Sequence, residues 1–467
     1  MARVVRRIIA PRSYGLIGHW FLGVPVRISF LTRVLPTVIA GALLGLPANA
    51  QTSIAVRVSQ APDGVVRMTY ASRGGTCGDG RDLVGYRKAL FADNFQSIGD
   101  WHSENCRPGP VRVSATVAGG RVTRLRTVVG ESFPATSDRV TDLGMVSPIE
   151  AASYFFSIVP QIERTNGEKS RALLPAVLAN AGDVIPQLTA VSHDEARTTD
   201  TRRQAIMWLG LLGDAKVIPT LVAFARGGGA GPVGPDLDED DKKPGKKGLG
   251  TAAMAALGGM DDGIGVPALI DLSRNPSVAI RSAAVFWLGQ TGDPRALATL
   301  HTVIENAGED DRVRSHAVFS LGQAADKDPS QIRYLQSIYP RASTRMKDQI
   351  FLTMGQDKVG GSTWLLEKAR DANELVEVRR KALFWAGQNE QTPTRDLAAF
   401  YRSASEHSLK EHAIFVLSQR DDDAAFQELM RIAQSDPDRS MRSKAFFWLG
   451  QKDDPRVAKL IADKVNR

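Results

Sequence analysis

From about residue 170 onward, apolar and polar positions recur in a fixed frame, easiest to follow on a glycine that follows an apolar residue. The marker falls at Gly210, Gly258, Gly289, Gly322, Gly355 and Gly387, then at Ser418 in the same place, and at Gly450. Successive markers lie 48, 31, 33, 33, 32, 31 and 32 residues apart. A basic residue stands eight before the marker, a small or apolar one five before, and an apolar one immediately before. Arg281, Ala284, Leu288 and Gly289 set out this frame, and Arg202, Ala205, Leu209 and Gly210 repeat it, as do Arg314, Ala317, Leu321 and Gly322. Lys347, Arg379, Lys410 and Arg442 head the later copies, and a degenerate earlier copy runs from Arg171 to Ala179 with Leu174 and Leu178 in the apolar places. The spacing is helical. Beyond the marker, Asp293-Pro294 and Asp454-Pro455 place an N-cap acid before a proline at the first helical position, so a second helix starts there. About nine helix pairs follow, none able to bury its apolar face alone, so the core forms by stacking.

At 100° per residue, two sectors of the marker helix separate. The small residue, the apolar residue before the marker and the leading basic residue share one. The aromatic three before the marker aligns with the Gln just after it and with the His or Lys six before it. Its members are Phe286, Phe319, Phe384, Phe415 and Phe447, with Gln290, Gln323, Gln356, Gln388, Gln419 and Gln451, and His316, Lys381, His412 and Lys444. Stacked repeats turn this second sector into a ladder along one surface, a candidate interaction face of aromatic anchors and amide hydrogen-bonders for an extended partner. The competing expectation is that these phenylalanines pack between adjacent helices, the marker helix being apolar around most of its circumference. Trp208, Trp287, Trp385 and Trp448 are expected in the core.

The R-x-x-A-x-x-x-L-G frame, the Asp-Pro helix start, the period near 32 and the string FWLGQ at Phe286–Gln290 and Phe447–Gln451 resemble HEAT repeats of the phycobilisome-lyase-like kind. That resemblance implies a mainly α fold, a right-handed α-solenoid over residues 170–467, and no particular activity. A bilin-lyase role rests only on the shared repeat type. HEAT-repeat deoxyhypusine hydroxylases bind iron through His-Glu pairs at repeated helix positions; here Glu411-His412 is reversed and Ser315-His316 has no acid, so no metal or cofactor is expected.

The 48-residue interval carries a Gly- and charge-rich insert at 227–248 between the helices of one unit, expected to be disordered. Asp236, Asp238 and Asp240 imitate the start of a calcium loop. Asp241 occupies its glycine position and Lys247 its closing acid, which makes the stretch a solvated charge run.

Upstream, residues 51–147 read as a small β-rich module and 148–169 as a connector helix, with Ala152, Phe155, Phe156 and Val159 at helical spacing. Ile54, Val56 and Val58 alternate as in a strand, as do Val65, Val66, Met68 and Tyr70. Val111, Val113, Ala115 and Val117 lead through Gly119-Gly120 into Val122, Leu125 and Val128, a hairpin whose polar positions Arg112, Arg121, Arg124 and Arg126 make one face basic. The only cysteines, Cys77 and Cys106, are expected to form a disulfide that closes a surface loop of about 30 residues, worth roughly 3–4 kcal/mol. Such a module would also cover the apolar end of the first repeat.

The formal charge of +8 suggests nucleic acid until it is located. Residues 1–50 hold Arg3, Arg6, Arg7, Arg12, Arg27 and Arg33 and no acid, and removing those six leaves +2. Leu35–Leu46 is an apolar run of 12 residues containing Pro36, short of the ~20 that span a bilayer, and Ala48-Asn49-Ala50 forms an A-x-A cleavage site. A signal peptide over 1–50 and an exported chain, periplasmic or secreted and without a stable membrane anchor, follow. Arg6-Arg7 sits in a context that fits twin-arginine export poorly.

No P-loop, GxSxG or HExxH occurs. The expectation is a protein- or peptide-binding scaffold in the cell envelope, neither an enzyme nor a nucleic-acid binder. The alternative is an enzyme or small-ligand binder with a site in the β module at Asp79, His102 or Glu104.

Overall fold

A computed structural model of the 467-residue chain describes residues 52–457 apart from 82, 88, 93–94, 99–105, 167–170, 228–247, 326–327, 357–359, 453 and 455. The expected leader, the calcium-like aspartates, His102 and Glu104 lie outside the described residues.

The chain opens with a helix where alternation predicts a strand. α1 spans Ile54–Ser59, with the Ser53 hydroxyl accepting from the Val56 amide. Ile54 and Val58 are both buried, one turn apart, while Val56 is 38% exposed, so the same three residues satisfy a helical face better than a pleated one. Glu150 accepts from the Ile54 amide at 2.6 Å, which fixes the helix start against a residue 96 positions away.

β1 (Gly64–Tyr70), β6 (Val111–Ala118), β7 (Arg121–Val129) and β8 (Val140–Met145) form a sheet in the order β7-β6-β1-β8, with β8 parallel to β1. Gly119 and Gly120, at φ 57° and 71°, make the β6–β7 turn, the double positive-φ geometry that suits the twist of a hairpin. The segment closed by the disulfide, expected as a surface loop, instead holds a second sheet. β2 (Thr76–Gly78), β3 (Val84–Tyr86), β4 (Ala89–Ala92) and β5 (Phe95–Ile98) follow one another as an antiparallel meander. Strands of three or four residues are too short to show alternation. Cys77 and Cys106 are bonded with Cα atoms 5.2 Å apart, and Gly78 and Arg107 exchange backbone hydrogen bonds beside them.

The helical region begins with α2 (Pro148–Asn166) and the single turn α3 (Leu174–Leu178), all that remains of the earliest repeat copy. Eight pairs follow. They are α4 (Ile185–His193) with α5 (Thr199–Leu212), α6 (Ile218–Gly227) with α7 (Leu249–Gly259), α8 (Val266–Leu272) with α9 (Val278–Thr291), and α10 (Pro294–Glu305) with α11 (Asp311–Ala324). Then come α12 (Ser330–Ile338) with α13 (Thr344–Gln356), α14 (Gly361–Arg370) with α15 (Val376–Gln388), α16 (Thr394–Ser403) with α17 (His407–Ser418), and α18 (Asp423–Ser435) with α19 (Arg439–Leu449). The odd helices from α5 on carry the markers. The insert falls between α6 and α7.

Each odd helix lies on the next, and the marker glycine is where they touch. A Cβ on Gly289 would overlap Ser320, one on Gly322 would overlap Thr353, and one on Gly387 would overlap Val416. At Gly210 and Gly355 it would come within 2.7 Å of Ala256 and Trp385. In every case the neighbour is the residue two before the next marker. The marker glycine therefore permits close helix approach, and successive odd helices adjoin more extensively than successive even ones, as the inner layer of a curved stack does.

The leading basic residue, also inward-facing, closes helix ends. Arg202 donates to the Ser192 carbonyl at 3.0 Å, Arg314 to Ile304 at 3.1 Å and Arg379 to Ala369 at 3.0 Å, each at the end of the preceding even helix. Arg281, Lys347 and Arg379 also pair with Glu309, Glu374 and Glu406 at 2.7, 3.0 and 2.5 Å, acids at the start of the next odd helix. Arg379 thus ties together the ends of three helices.

The β module lies against the first repeats. The Tyr70 hydroxyl donates to the Pro175 carbonyl at 2.8 Å, Arg73 donates to Val177 and Gly182, and Arg87 pairs with Asp261 at 2.8 Å. Tyr86 packs on Trp208 with centroids 5.6 Å apart.

Candidate interaction face

The aromatic column on the odd helices is half-buried at Phe286, Phe319, Phe384 and Phe415, and Phe447 is 59% exposed. Leu352 fills the place in α13. One turn on, Gln290, Gln323, Gln356 and Gln451 are exposed and Gln388 and Gln419 half-buried. Two continuous columns therefore run over six successive odd helices, one apolar and one of uncharged amides.

The rings are ordered. Phe286 and Phe319 stack with centroids 6.2 Å apart and planes 9° from parallel, and Phe384 and Phe415 do the same at 6.5 Å and 9°. The next residue is a tryptophan in three of these helices, and it meets its phenylalanine edge-on: Trp287 at 5.3 Å, Trp385 at 5.3 Å and Trp448 at 5.1 Å. Of the tryptophans expected in the core only Trp208 is fully buried. Whereas Trp208 is also covered by Tyr86 of the β module, Trp287, Trp385 and Trp448 at the same repeat position are half-buried yet pack against the core from the seam with the preceding odd helix. They hold the phenylalanines from the side; Phe415 also packs on the core.

The basic members of the stripe divide. His316 is buried, so it belongs to the interior rather than to the face. Lys381 pairs with Asp348 of the previous odd helix at 2.7 Å, and Lys444 with Glu411 at 3.6 Å. The His412 ring lies 5.6 Å from Phe415, and burial, helped by the charge of Arg380, lowers its pKa to about 4. It is neutral at physiological pH.

The Asp79 carboxylate accepts from the Arg81 and Leu83 amides at 2.8 and 3.1 Å, which closes a turn. Arg112 lies over the Phe133 ring and donates to the Gly130 carbonyl, pinning the segment that leads from β7 to β8, while Arg121, Arg124 and Arg126 are exposed. Among the described residues no three His, Cys, Asp or Glu side chains gather as a metal-ligand set. A 440 Å³ cleft between α8 and α10 is lined by Arg274, Asn275, Thr299 and Asn306 beside the Arg281–Glu309 pair, away from the ladder.

Residues 266–347 match the model of HEAT repeats, and residues 201–227 that of the PBS lyase HEAT-like repeat. No curated protein matches the sequence. Two solved structures are similar: the complex of CpcE and CpcF of phycocyanin lyase from Nostoc sp. PCC7120, 20% identical over 53% of this chain and 93% of that one, with a TM-score of 0.26; and human deoxyhypusine hydroxylase in complex with glycerol, 16% identical over 57% and 96%, with a TM-score of 0.24. Scores this low carry nothing beyond the likeness itself. With the marker frame, the stacked odd helices and the matched segments in agreement, the chain is a HEAT-repeat protein that includes a PBS lyase HEAT-like repeat.

Proposed function

We propose that this chain is an exported protein-binding scaffold of the cell envelope, with a binding rather than a catalytic role, and that the odd-helix ladder is its binding face. HEAT repeats generally serve protein interaction, so the coarse reading follows from the family. The observation that carries the finer one is the partial exposure of five phenylalanine rings, four of them in two stacked pairs, in a column completed by Leu352 beside an amide column over six helices. Partly exposed aromatics held by neighbours lose little entropy on binding, which is what makes such residues energetic anchors. Export is supported by the basic and apolar leader pattern and by the Cys77–Cys106 bond, which persists in oxidising compartments. Among the described residues no helix is long and apolar enough to cross a membrane.

The test is capture from envelope extract with the chain from Gln51 onward, against a variant carrying Phe286→Ala, Phe384→Ala and Phe447→Ala with matched circular dichroism. Loss of a captured partner by the folded variant supports the reading. Equal capture by both sinks it and directs attention to the β module.

A further inference from the structure

Positive charge is concentrated in the β module and left unmatched there. Residues 51–147 hold 12 Arg and Lys against 9 Asp and Glu, while residues 148–467 hold 41 against 42. In the repeats, exposed arginines are paired: Arg226 with Asp271 at 2.8 Å, Arg341 with Glu305 at 2.6 Å, Arg402 with Glu428 at 3.1 Å and Arg456 with Asp423 at 2.6 Å. On β7, exposed Arg121 and Arg124 pair with no carboxylate among the described residues.

Strand register places these charges on one side of the sheet. Arg124 stands opposite Thr116, Val65 and Val140 in turn, Arg126 opposite Ser114, Arg67 and Asp142, and Arg112 opposite Thr69 and Met145. Residues opposite one another share a face, so four arginines lie on the same side as Val140 and Met145, with Asp142 among them. The segment from Gly130 to Arg139 crosses the middle of that side, its Phe133 ring 4.9 and 5.1 Å from the Arg67 and Arg112 guanidiniums. It adds the exposed Arg139, Glu131 and Asp138. The outer strands stay uncovered: Arg124 and Arg126 are exposed on β7, while on β8 Val140 is 39% and Met145 69% exposed.

Both β7 and β8 are edge strands. Arginines on β7 keep that edge from pairing with another chain, but exposed Val140 and Met145 on the other edge do the reverse, so edge protection does not account for the face. Unmatched cations attract a dense negative surface, and exposed apolar side chains beside them require one with an apolar interior to receive them. A soluble polyanion meets the first demand and not the second. We propose that this side of the sheet rests reversibly on an anionic lipid surface, with Arg121, Arg124 and Arg126 on phosphate headgroups and Val140 and Met145 entering the interface. The contact is separate from the odd-helix ladder.

Vesicle co-sedimentation tests it on the chain from Gln51 onward, since residues 52–467 form a compact unit without the basic leader. Vesicles of phosphatidylcholine alone are compared with an equal mixture of phosphatidylcholine and phosphatidylglycerol. Binding to the anionic vesicles is expected to be at least tenfold tighter and to weaken as salt is raised. Arg121→Gln with Arg124→Gln and Arg126→Gln is expected to lose at least tenfold, at roughly fivefold per arginine, while lysine at the three positions keeps most of it. Val140→Thr with Met145→Ser is expected to lose at least threefold, with a melting curve like the parent's. The Phe286→Ala, Phe384→Ala and Phe447→Ala variant is expected to bind vesicles as the parent does. Equal binding to both vesicle types, or parent-like binding by the glutamine variant, overturns the proposal. So does parent-like binding by the Val140 and Met145 variant, which makes the face a site for soluble polyanions, and so does loss of vesicle binding by the phenylalanine variant.

Discussion

At the scale of single residues, the marker glycine makes a sharp prediction because the contact a Cβ would meet differs between positions. A Cβ on Gly289 would overlap the Ser320 side chain and crowd its backbone, whereas on Gly258 its nearest neighbour is the Trp287 carbonyl at 3.6 Å, an ordinary contact. Gly289→Ala should therefore destabilise by about 1–3 kcal/mol through overpacking, although alanine is the better helix former. Gly258→Ala should be neutral or stabilise by up to about 1 kcal/mol. Urea unfolding of the two variants decides, and equal effects would contradict the close-approach account. Arg379 gives a second test: it is 6% exposed, capping Ala369 and pairing with Glu406. Arg379→Met should cost about 3 kcal/mol, against well under 1 for the exposed Arg395→Met, read from the same curves. Both positions were legible in the sequence as a period. Their reasons were not, because each partner sits on another helix.

At the scale of elements, regular helices were readable and short pieces were not. The odd helices declare themselves through repetition, but Ile54–Ser59 offers three apolar residues that fit either periodicity. Burial of Ile54 and Val58 together, set by contact with Glu150, decides it. The meander from Thr76 to Ile98 was hidden because glycines around Cys77 signal turns without revealing the three-residue strands between them. Its disulfide spans 29 residues, so Cys77→Ser with Cys106→Ser should lower stability by about 3 kcal/mol, lost first from the β module in hydrogen exchange. In α17, His412 has its pKa lowered to about 4 by burial, while in the unfolded chain it titrates near 6.5. Between those values the unfolded chain takes up a proton that the native fold refuses, so stability falls as pH drops from about 6.5 to 4 and this contribution is flat outside that window. His412→Gln should show a smaller fall in urea midpoint across that range. An unchanged fall would mean that His412 is solvated.

At the scale of the whole molecule, the β module and the repeats act on one another. Tyr70, Arg73 and Arg87 hold the module against the first repeats, where a solenoid would otherwise present an uncovered apolar end. The architecture and the alignment of phenylalanine with glutamine follow from periodicity alone. Exposure does not, because it depends on how far the next odd helix overlaps each position. The residue two before the marker lies in that seam, whether small as Ser320 or large as Trp385; the residue one further back, Phe319 or Phe384, is left half-buried. Whether that cleared surface is the binding face is tested most directly by site-specific photo-crosslinking in envelope extract. A photoreactive side chain replaces Gln323 or Gln388 on the odd helices, or the exposed Arg333 or Thr363 on the even ones. The account predicts partner adducts from Gln323 and Gln388 and none from Arg333 or Thr363; adducts confined to the even helices would contradict it.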